Sequence, residues 1–313
     1  MYPLLLSPAL HTRVWGGRKL ETELHKQLPT EEPYGESWEM HDTAIVANGE
    51  HAGHALGNLV DQYGARLIGD LNDPREGFPL LLKFLDASQW LSVQVHPDDA
   101  IAAEQEGEPR GKTEAWIVLA AEPGAKLALG VLPGLTREGL AEVIRTNQIE
   151  SALNYVEVKA GDVIYLAAGV VHALGPGVLV YEIQQSSDQT YRLYDWGRMG
   201  LDGKPRPLHV GKGLVATKPD QRPKPTRLPD GDGLVLSGPY FATDILHLKG
   251  EVRMLDTRGR RFHVLTVIAG TLEISANGVT ASAGHGQSVL IPAAVGPYSV
   301  SGVGDLLRSF QPG

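Results

Sequence analysis

With 313 residues, 42% of them hydrophobic and 21% charged, the chain has ordinary globular composition and room for one large or two modest domains. It contains no cysteine, which excludes disulfides and thiolate metal sites, leaves any bound metal to His, Glu, Asp or Gln, and suits a reducing compartment. A net charge of −9 without a clustered basic arm argues against nucleic acid as a partner, yet a local pocket of Lys and Arg could still take a phosphorylated small molecule.

The 37 glycines and 21 prolines favour many turns and short strands over long helices. The opening MYPLLLSPALHTRVWGG has an apolar run with no basic residue before it, broken by Pro3 and Pro8, so no secretory signal is expected. No stretch approaches the ~18 apolar residues a membrane span needs, and a soluble cytoplasmic protein is the expectation.

Along residues 1–50 the aromatics Tyr2, Trp15, Tyr34 and Trp38 are candidates for core or sheet cover, with Trp15 or Trp38 as an alternative pocket wall. Residues 55–70 carry apolar positions at helical spacing and predict a short amphipathic helix. Phe78–Leu85 is a continuous apolar run interrupted by Lys83, which must lie at a strand edge or face a polar cavity.

The run Leu91-Ser-Val-Gln-Val-His96 is β-rich, and residues two apart on a strand share a face, so Gln94 and His96 project together. Asp98 or Asp99 begins a helix with carboxylates in its first turn, and Gly107 to Gly111 ends it. Glu114-Ala-Trp-Ile-Val-Leu resumes as a buried strand. Leu135–Asn147 is the clearest amphipathic helix, with Thr136 as a weak cap because Gly139, not Glu, follows it.

Two strands flank Gly161-Asp162, and Gly169 precedes Val-Val-His172. A strand over Val178–Gln185 places Tyr181, Ile183 and Gln185 on one face and Glu182 and Gln184 on the other. Residues 187–198 are polar, aromatic and turn-rich. Residues 217–233 hold four prolines and end in Asp-Gly-Asp-Gly, the best linker candidate, and residues 234–313 are short β-runs separated by Gly. The segment from Gly161 to His172 resembles that from Gly286 to Pro297 in its order of Gly, polar residue, apolar strand, small residues and turn. This suggests two related β-domains, residues 1–216 with a metal site and residues 234–313 without one. The alternative is coincidence, since Gly-bounded strands recur in any β-barrel.

The candidate metal ligands are Gln94, His96, Glu114 and His172. Two imidazoles, a carboxylate and an amide oxygen suit four-coordinate Zn²⁺, and such a set also accepts Mn²⁺, Fe²⁺ or Co²⁺. Glu39-Met-His41 is a competing ligand pair. His25 with Glu23 reads as solvated. His11, His51, His54, His209, His247, His263 and His285 lack a carboxylate or amide two residues away and read as solvated or structural.

Gly161-Asp and the later Gly-x-x-His172 resemble the second motif of the cupin barrel. The blocks LLLKFLDA, LSVQVHPDD, GKTEAW and VLVYEIQQSSDQTYRLYDWGR, between Leu80 and Arg198, resemble the type I mannose-6-phosphate isomerases in their shorter bacterial form. The resemblance implies a mainly β fold of two cupin-type jelly-roll barrels, with a few helices inserted in the N-terminal half. It implies Gln94, His96, Glu114 and His172 as zinc ligands, Arg192 as the active-site arginine, Lys112 and Glu182 as further pocket residues, and Trp15 as an aromatic near the mouth. Leu174 stands where longer members have a tyrosine, and the large helical insertion of those members is absent.

The implied reaction interconverts mannose 6-phosphate and fructose 6-phosphate through a cis-enediol. Lys112, Glu182 and a metal-bound water are candidates for the proton carrier, and Arg192 for stabilising the developing oxyanion. Lys83, Arg192 and Arg198 are candidates for binding the phosphate. The plain alternatives are a Lys112–carboxylate pair, a sheet-edge Glu182, and an Arg192 ion pair with Asp188 or Asp195. At the level of function the alternatives are another metal-dependent cupin isomerase, epimerase or oxygenase, and a non-catalytic sugar-binding cupin. The C-terminal barrel is a candidate for packing or for a homodimer contact.

Overall fold

The computed structural model describes residues 1–312, whose strands form three antiparallel sheets. The first holds Ala9–Gly17, Tyr34–Met40, Leu80–Ala87, Val178–Gln185, Glu114–Ala121, Asp162–Leu166 and Thr226–Arg227, in that spatial order. The second runs Tyr191–Tyr194, Val93–Val95, His172–Leu174, Lys126–Val131 and Leu153–Glu157. The third is built from the strands after Gly233, together with Leu4–Ser7 and Ile45–Val46 from the N-terminus.

The first two sheets face each other over a shared apolar core. Leu85, Trp116, Val118 and Val180 come from one, and Leu127, Leu129 and Leu174 from the other. Leu174 is fully buried in that core, so its position offers the neighbouring cavity no polar side chain. The opposite face of the first sheet carries Leu82, Phe84, Ala115, Ile117, Tyr181 and Ile183, packed against Phe241, Ile245, Phe262, Val264 and Leu307 of the third sheet. A sheet covered on both faces has no polar side to alternate with. That is why Leu80–Ala87 and Val178–Gln185 are buried along their whole length.

The segments joining the halves are packed in place. Leu4–Ser7 pairs with Ser288–Ile291, so the N-terminal strand is stitched into the C-terminal sheet. The proline-rich 217–233 stretch lies along the first sheet rather than hanging free: Thr226–Arg227 pairs with Asp162–Val163, and Arg227 Nη1 meets Asp162 Oδ1 at 2.7 Å. Pro223, Pro225 and Pro229 flank this two-residue edge strand, where a missing N–H costs nothing.

The helices are short. The amphipathic pattern of 55–70 forms two segments, Leu56–Tyr63 and Ala65–Ile68, broken at Gly64 with φ +50°. The period runs through the break because Leu59, Val60, Leu67 and Ile68 cover the same core. Thr136 caps Arg137–Arg145 by accepting from Gly139 N at 3.1 Å. Asp98 caps Asp99–Glu106, which Gly107 closes in the left-handed conformation. The two compared segments share a local plan: Gly161 and Gly286 both have positive φ (85° and 80°), and each precedes a short buried strand.

Candidate active site and metal centre

Sheet register sets the site. On the second sheet His172 is the cross-strand partner of Gln94, and Gln94 in turn is the partner of Arg192. His96 lies two residues on from Gln94. Glu114 is brought from the facing sheet, where it opens its strand opposite Gln184. His96, Glu114 and His172 are 2%, 0% and 1% exposed, and one ligand atom from each lies within 4.8 Å of the other two.

The imidazoles are held in one tautomer. His96 Nδ1 donates to the Gln189 carbonyl at 2.8 Å and His172 Nδ1 to the Val170 carbonyl at 2.9 Å. Each ring therefore turns an Nε2 lone pair inward. His96 Nε2 is 3.4 Å from Glu114 Oε2, and His172 Nε2 is 3.2 Å from Glu114 Oε1. Two ligand bonds of about 2.1 Å at a tetrahedral angle separate donor atoms by about 3.4 Å, so these spacings fit a single small divalent ion. Both Glu114 oxygens are buried without a directed hydrogen bond, as expected of atoms reserved for an ion. The Gln94 amide, 3.3 Å from His172 Nε2, can present its oxygen to the same point by a half-turn.

Burial and the adjacent Lys112 cation hold His96 down at about 3, so its ring is neutral and free to ligate. Burial opposes ionisation of Glu114, but Lys112 and His96 beside it keep its carboxyl well below the usual range. Lys112 Nζ stands 2.8 Å from Glu114 Oε2 and 3.2 Å from His96 Nε2. Glu39 and His41, the competing pair, do not join such a cluster: Glu39 is turned away to Lys26 at 2.7 Å and Ser37 at 2.5 Å.

Directly above lies a cavity of about 460 Å³ whose wall includes Trp15, Lys83, Gln94, Lys112, Glu182 and Arg192. Lys83, Glu182 and Trp116 form one cross-strand row. Lys83 Nζ is 3.2 Å from Glu182 Oε1, and Trp116 Nε1 donates to Glu182 Oε2 at 2.6 Å. Burial disfavours the Lys83 cation, while Glu182 and Glu36 hold its proton affinity above the usual lysine value. A larger cavity of about 640 Å³ sits between Leu5–Leu10, Lys26 and the Gly284–Gln287 turn; its charged groups are the Lys26–Glu39 pair, and it contains no comparable ligand cluster among the described residues.

Arg198 is placed differently from its expected role. Its guanidinium is committed to Asp195 Oδ1 at 2.8 Å and to the Trp90 carbonyl, and it does not reach the cavity wall. The wall also carries Arg13, Glu36, Asp188, Arg206 and His209, which sequence reasoning did not single out as pocket residues. Glu36 is gripped by Arg13 at 2.9 and 3.0 Å and by the Trp38 indole at 2.7 Å. Burial opposes its ionisation, yet Lys83 and Arg13 bring it down to about 2. His209, read as solvated or structural, donates its backbone N–H to the Arg192 carbonyl at 2.7 Å and lines the cavity.

A buried two-histidine, one-carboxylate cluster beneath a cation-rich cavity, inside a two-sheet β-fold, is the arrangement of a cupin-type protein with a candidate metal site. Residues 4–116 match the family described as phosphomannose isomerase type I, catalytic domain, and residues 234–311 the one described as mannose-6-phosphate isomerase, cupin domain. The chain is 34% identical to a mannose-6-phosphate isomerase of Streptococcus mutans and 32% identical to a probable one of Bacillus subtilis; the first comparison covers 98% of both chains, the second 98% of this chain and 99% of the relative. The crystal structure of the Bacillus subtilis mannose 6-phosphate isomerase superposes with a TM-score of 0.89 at 28% identity, covering 99% of each chain. The chain belongs to the type I phosphomannose isomerases.

Proposed function

We propose that this protein interconverts mannose 6-phosphate and fructose 6-phosphate with one Zn²⁺ per chain, held by His96, Glu114, His172 and the Gln94 amide. The observation that carries this reading is the pair of inward-facing Nε2 lone pairs flanking the buried Glu114 carboxylate, roofed by a cavity of fixed cations. An ion held by these residues would supply Lewis-acid chemistry to the substrate.

The rest of the chemistry belongs to the chain's own residues. Moving a proton between C2 and C1 needs a group within about 3 Å of the carbon. Lys112 and Glu182 are the two wall residues suited to carry it, one beside the ligand set and one facing Lys83. Arg192, next to Gln94 across the strand, presents a preorganised charge to the developing enediolate oxygen. Lys83 and Trp15 shape the sugar pocket. In this reading residues 1–216 perform the reaction, and residues 234–313 cover the apolar back of the sheet that carries Glu114 and Glu182.

The test is a coupled assay for fructose 6-phosphate from mannose 6-phosphate. Wild-type protein should turn over, lose activity in EDTA and regain it with Zn²⁺, and His96→Ala should be inactive. Metal-replete wild type that yields no fructose 6-phosphate would exclude the reading.

A further inference from the structure

The strand Val178–Gln185 belongs to the first sheet and Tyr191–Tyr194 to the second. Residues 186–190 therefore carry the chain from the sheet that bears Glu114 to the one that supplies His96 and His172. That crossing provides the Gln189 carbonyl to which His96 Nδ1 is bonded at 2.8 Å. The outer hydrogen bond of a ligand imidazole decides which nitrogen it turns inward, so the placing of this one carbonyl decides what His96 can offer.

Gln184 holds the crossing. Its side chain is fully buried, on the strand position opposite Glu114. Its Nε2 donates to the Ser187 carbonyl at 2.6 Å and to the Gln185 carbonyl at 2.9 Å. Ser187 N donates in turn to the Gln185 carbonyl at 2.8 Å, and Gln189 N to Ser187 Oγ at 3.4 Å. One buried amide thus links the strand beside Glu114 to the peptide that fixes His96.

The amide does this at a cost. Gln184 Oε1 is buried with no hydrogen-bond partner. A bare buried acceptor is unfavourable, and an apolar side chain of the same length would fill the space without it. Turning the amide over would give up both N–H bonds to the crossing. Its orientation is therefore set by the two carbonyls it holds, not by its own full satisfaction.

Gln185, on the opposite face, makes the corresponding clamp at the other ligand. Its Oε1 accepts from Thr113 N at 2.9 Å and its own N–H donates to the Thr113 carbonyl at 3.1 Å. Its Nε2 donates at 2.9 Å to Asp99 Oδ1, which also accepts from Gly111 N at 2.8 Å. The segment that carries Lys112 and Glu114 is fixed on both sides of Lys112. Asp99 is itself anchored from the C-terminal half, its Oδ2 accepting from the Tyr240 hydroxyl at 2.8 Å.

We propose that Gln184 is a positioning residue that ties His96 to the Glu114 strand and fixes the ring nitrogen His96 offers, with Gln185 as its counterpart for Lys112 and Glu114. This rests on the metal-site reading above. Neither glutamine needs to touch substrate or ion; each acts through the backbone beside a ligand.

The experiment compares wild type, Gln184→Met, Gln185→Met and Ser187→Ala, all as full-length protein. Zinc affinity is measured by chelator competition. The His96 tautomer is read from long-range ¹H–¹⁵N spectra of the metal-free proteins at pH 7.5, with His96→Ala assigning the signal. Wild type should show a single Nδ1–H form. Gln184→Met should show a mixture of tautomers and bind zinc about 10-fold more weakly. Gln185→Met should weaken zinc to a similar degree with the His96 tautomer intact. Ser187→Ala loosens the same crossing from a half-buried position, should move both readouts as Gln184→Met does but less, and decides the matter if Gln184→Met does not fold. A single Nδ1–H tautomer in Gln184→Met would overturn the proposal whatever its zinc affinity, as would unchanged zinc affinity, or an equal tautomer change in Gln185→Met. Failure of the metal reading looks different: wild type would bind no zinc, and the tautomer spectra would still judge Gln184.

Discussion

Lys83 and Glu182 stand opposite one another on neighbouring antiparallel strands, Nζ 3.2 Å from Oε1, with side chains 6% and 2% exposed. A buried ion pair adds little net stability, but removing one member strands the other in a poor solvent. Lys83→Met should therefore lower unfolding stability by about 3 kcal/mol, and Lys83→Met with Glu182→Gln should recover part of that loss. Urea unfolding of the four proteins in the cycle measures the coupling. Additive losses would mean that the two groups do not interact.

Glu182→Gln also tests the proton carrier. If Glu182 moves the proton, kcat should fall by at least about 100-fold in zinc-loaded protein, together with the rate of deuterium exchange at C2 of mannose 6-phosphate. Lys112→Met with intact metal content should give the matching result if Lys112 carries it instead. Whichever variant retains both rates clears its residue of that role.

For Arg192→Ala the expectation is folded, zinc-loaded protein with turnover reduced by at least about 100-fold, since a preorganised charge at the oxyanion is lost. The fall should be in kcat and not in KM. Near-normal turnover would show that Arg192 does not serve the reacting oxygens.

The Gln94–His96 pair was legible because strand alternation is a local rule: residues two apart share a face wherever their strand lies, whereas Glu114 and His172 are brought to it by sheets their own segments do not encode. The helix start at Asp98 or Asp99 was read from its first-turn carboxylates, and Asp98 is the residue that caps it; Thr136, read as a weak cap, accepts from Gly139 N. Glu36, Arg13 and Arg206 were not legible as pocket residues. Glu36 reaches the wall through pairing with Leu85, 49 positions on, and Arg206 through a hairpin turn, neither of which leaves a pattern in its own segment. His263 was read as solvated or structural, and it is structural: it is 4% exposed in the C-terminal sheet, and its own segment left the choice open because burial there is decided by the partner strand.

That histidine gives a pH prediction. His263 Nδ1 lies 2.8 Å from the Tyr298 hydroxyl, and burial, with Arg308 and Arg261 nearby, holds its pKa at about 3 against a usual 6.5. Between those values the unfolded chain binds the proton and the folded one does not. The contribution is thus intact above about pH 6.5 and declines as pH falls toward 3, by up to about 1.4 kcal/mol per unit. Urea unfolding in EDTA at pH 7.5 and pH 5, for wild type and His263→Gln, isolates this slope from metal release. The variant should lose less stability on acidification than wild type. Parallel losses would show that His263 binds its proton equally well in the folded and the unfolded chain.

The two-sided burial of the first sheet sets the last expectation. Leu82, Phe84, Tyr181 and Ile183 find their partners on Phe241, Phe262 and Leu307, and Tyr181 is hydrogen-bonded to Ser309 at 2.9 Å. Leu4–Ser7 also takes its register from Ser288–Ile291. A chain cut after residue 233 keeps every candidate ligand and wall residue but exposes this apolar face and frees the N-terminal strand. An exposed patch of that kind promotes association, and the sheet loses the core that offsets its ordering entropy. The 1–233 fragment should therefore be recovered as aggregate, or as a dye-binding species without cooperative unfolding, and should bind no stoichiometric zinc. A soluble, cooperatively folding 1–233 fragment with full activity would mean that the catalytic half needs nothing from the C-terminal sheet.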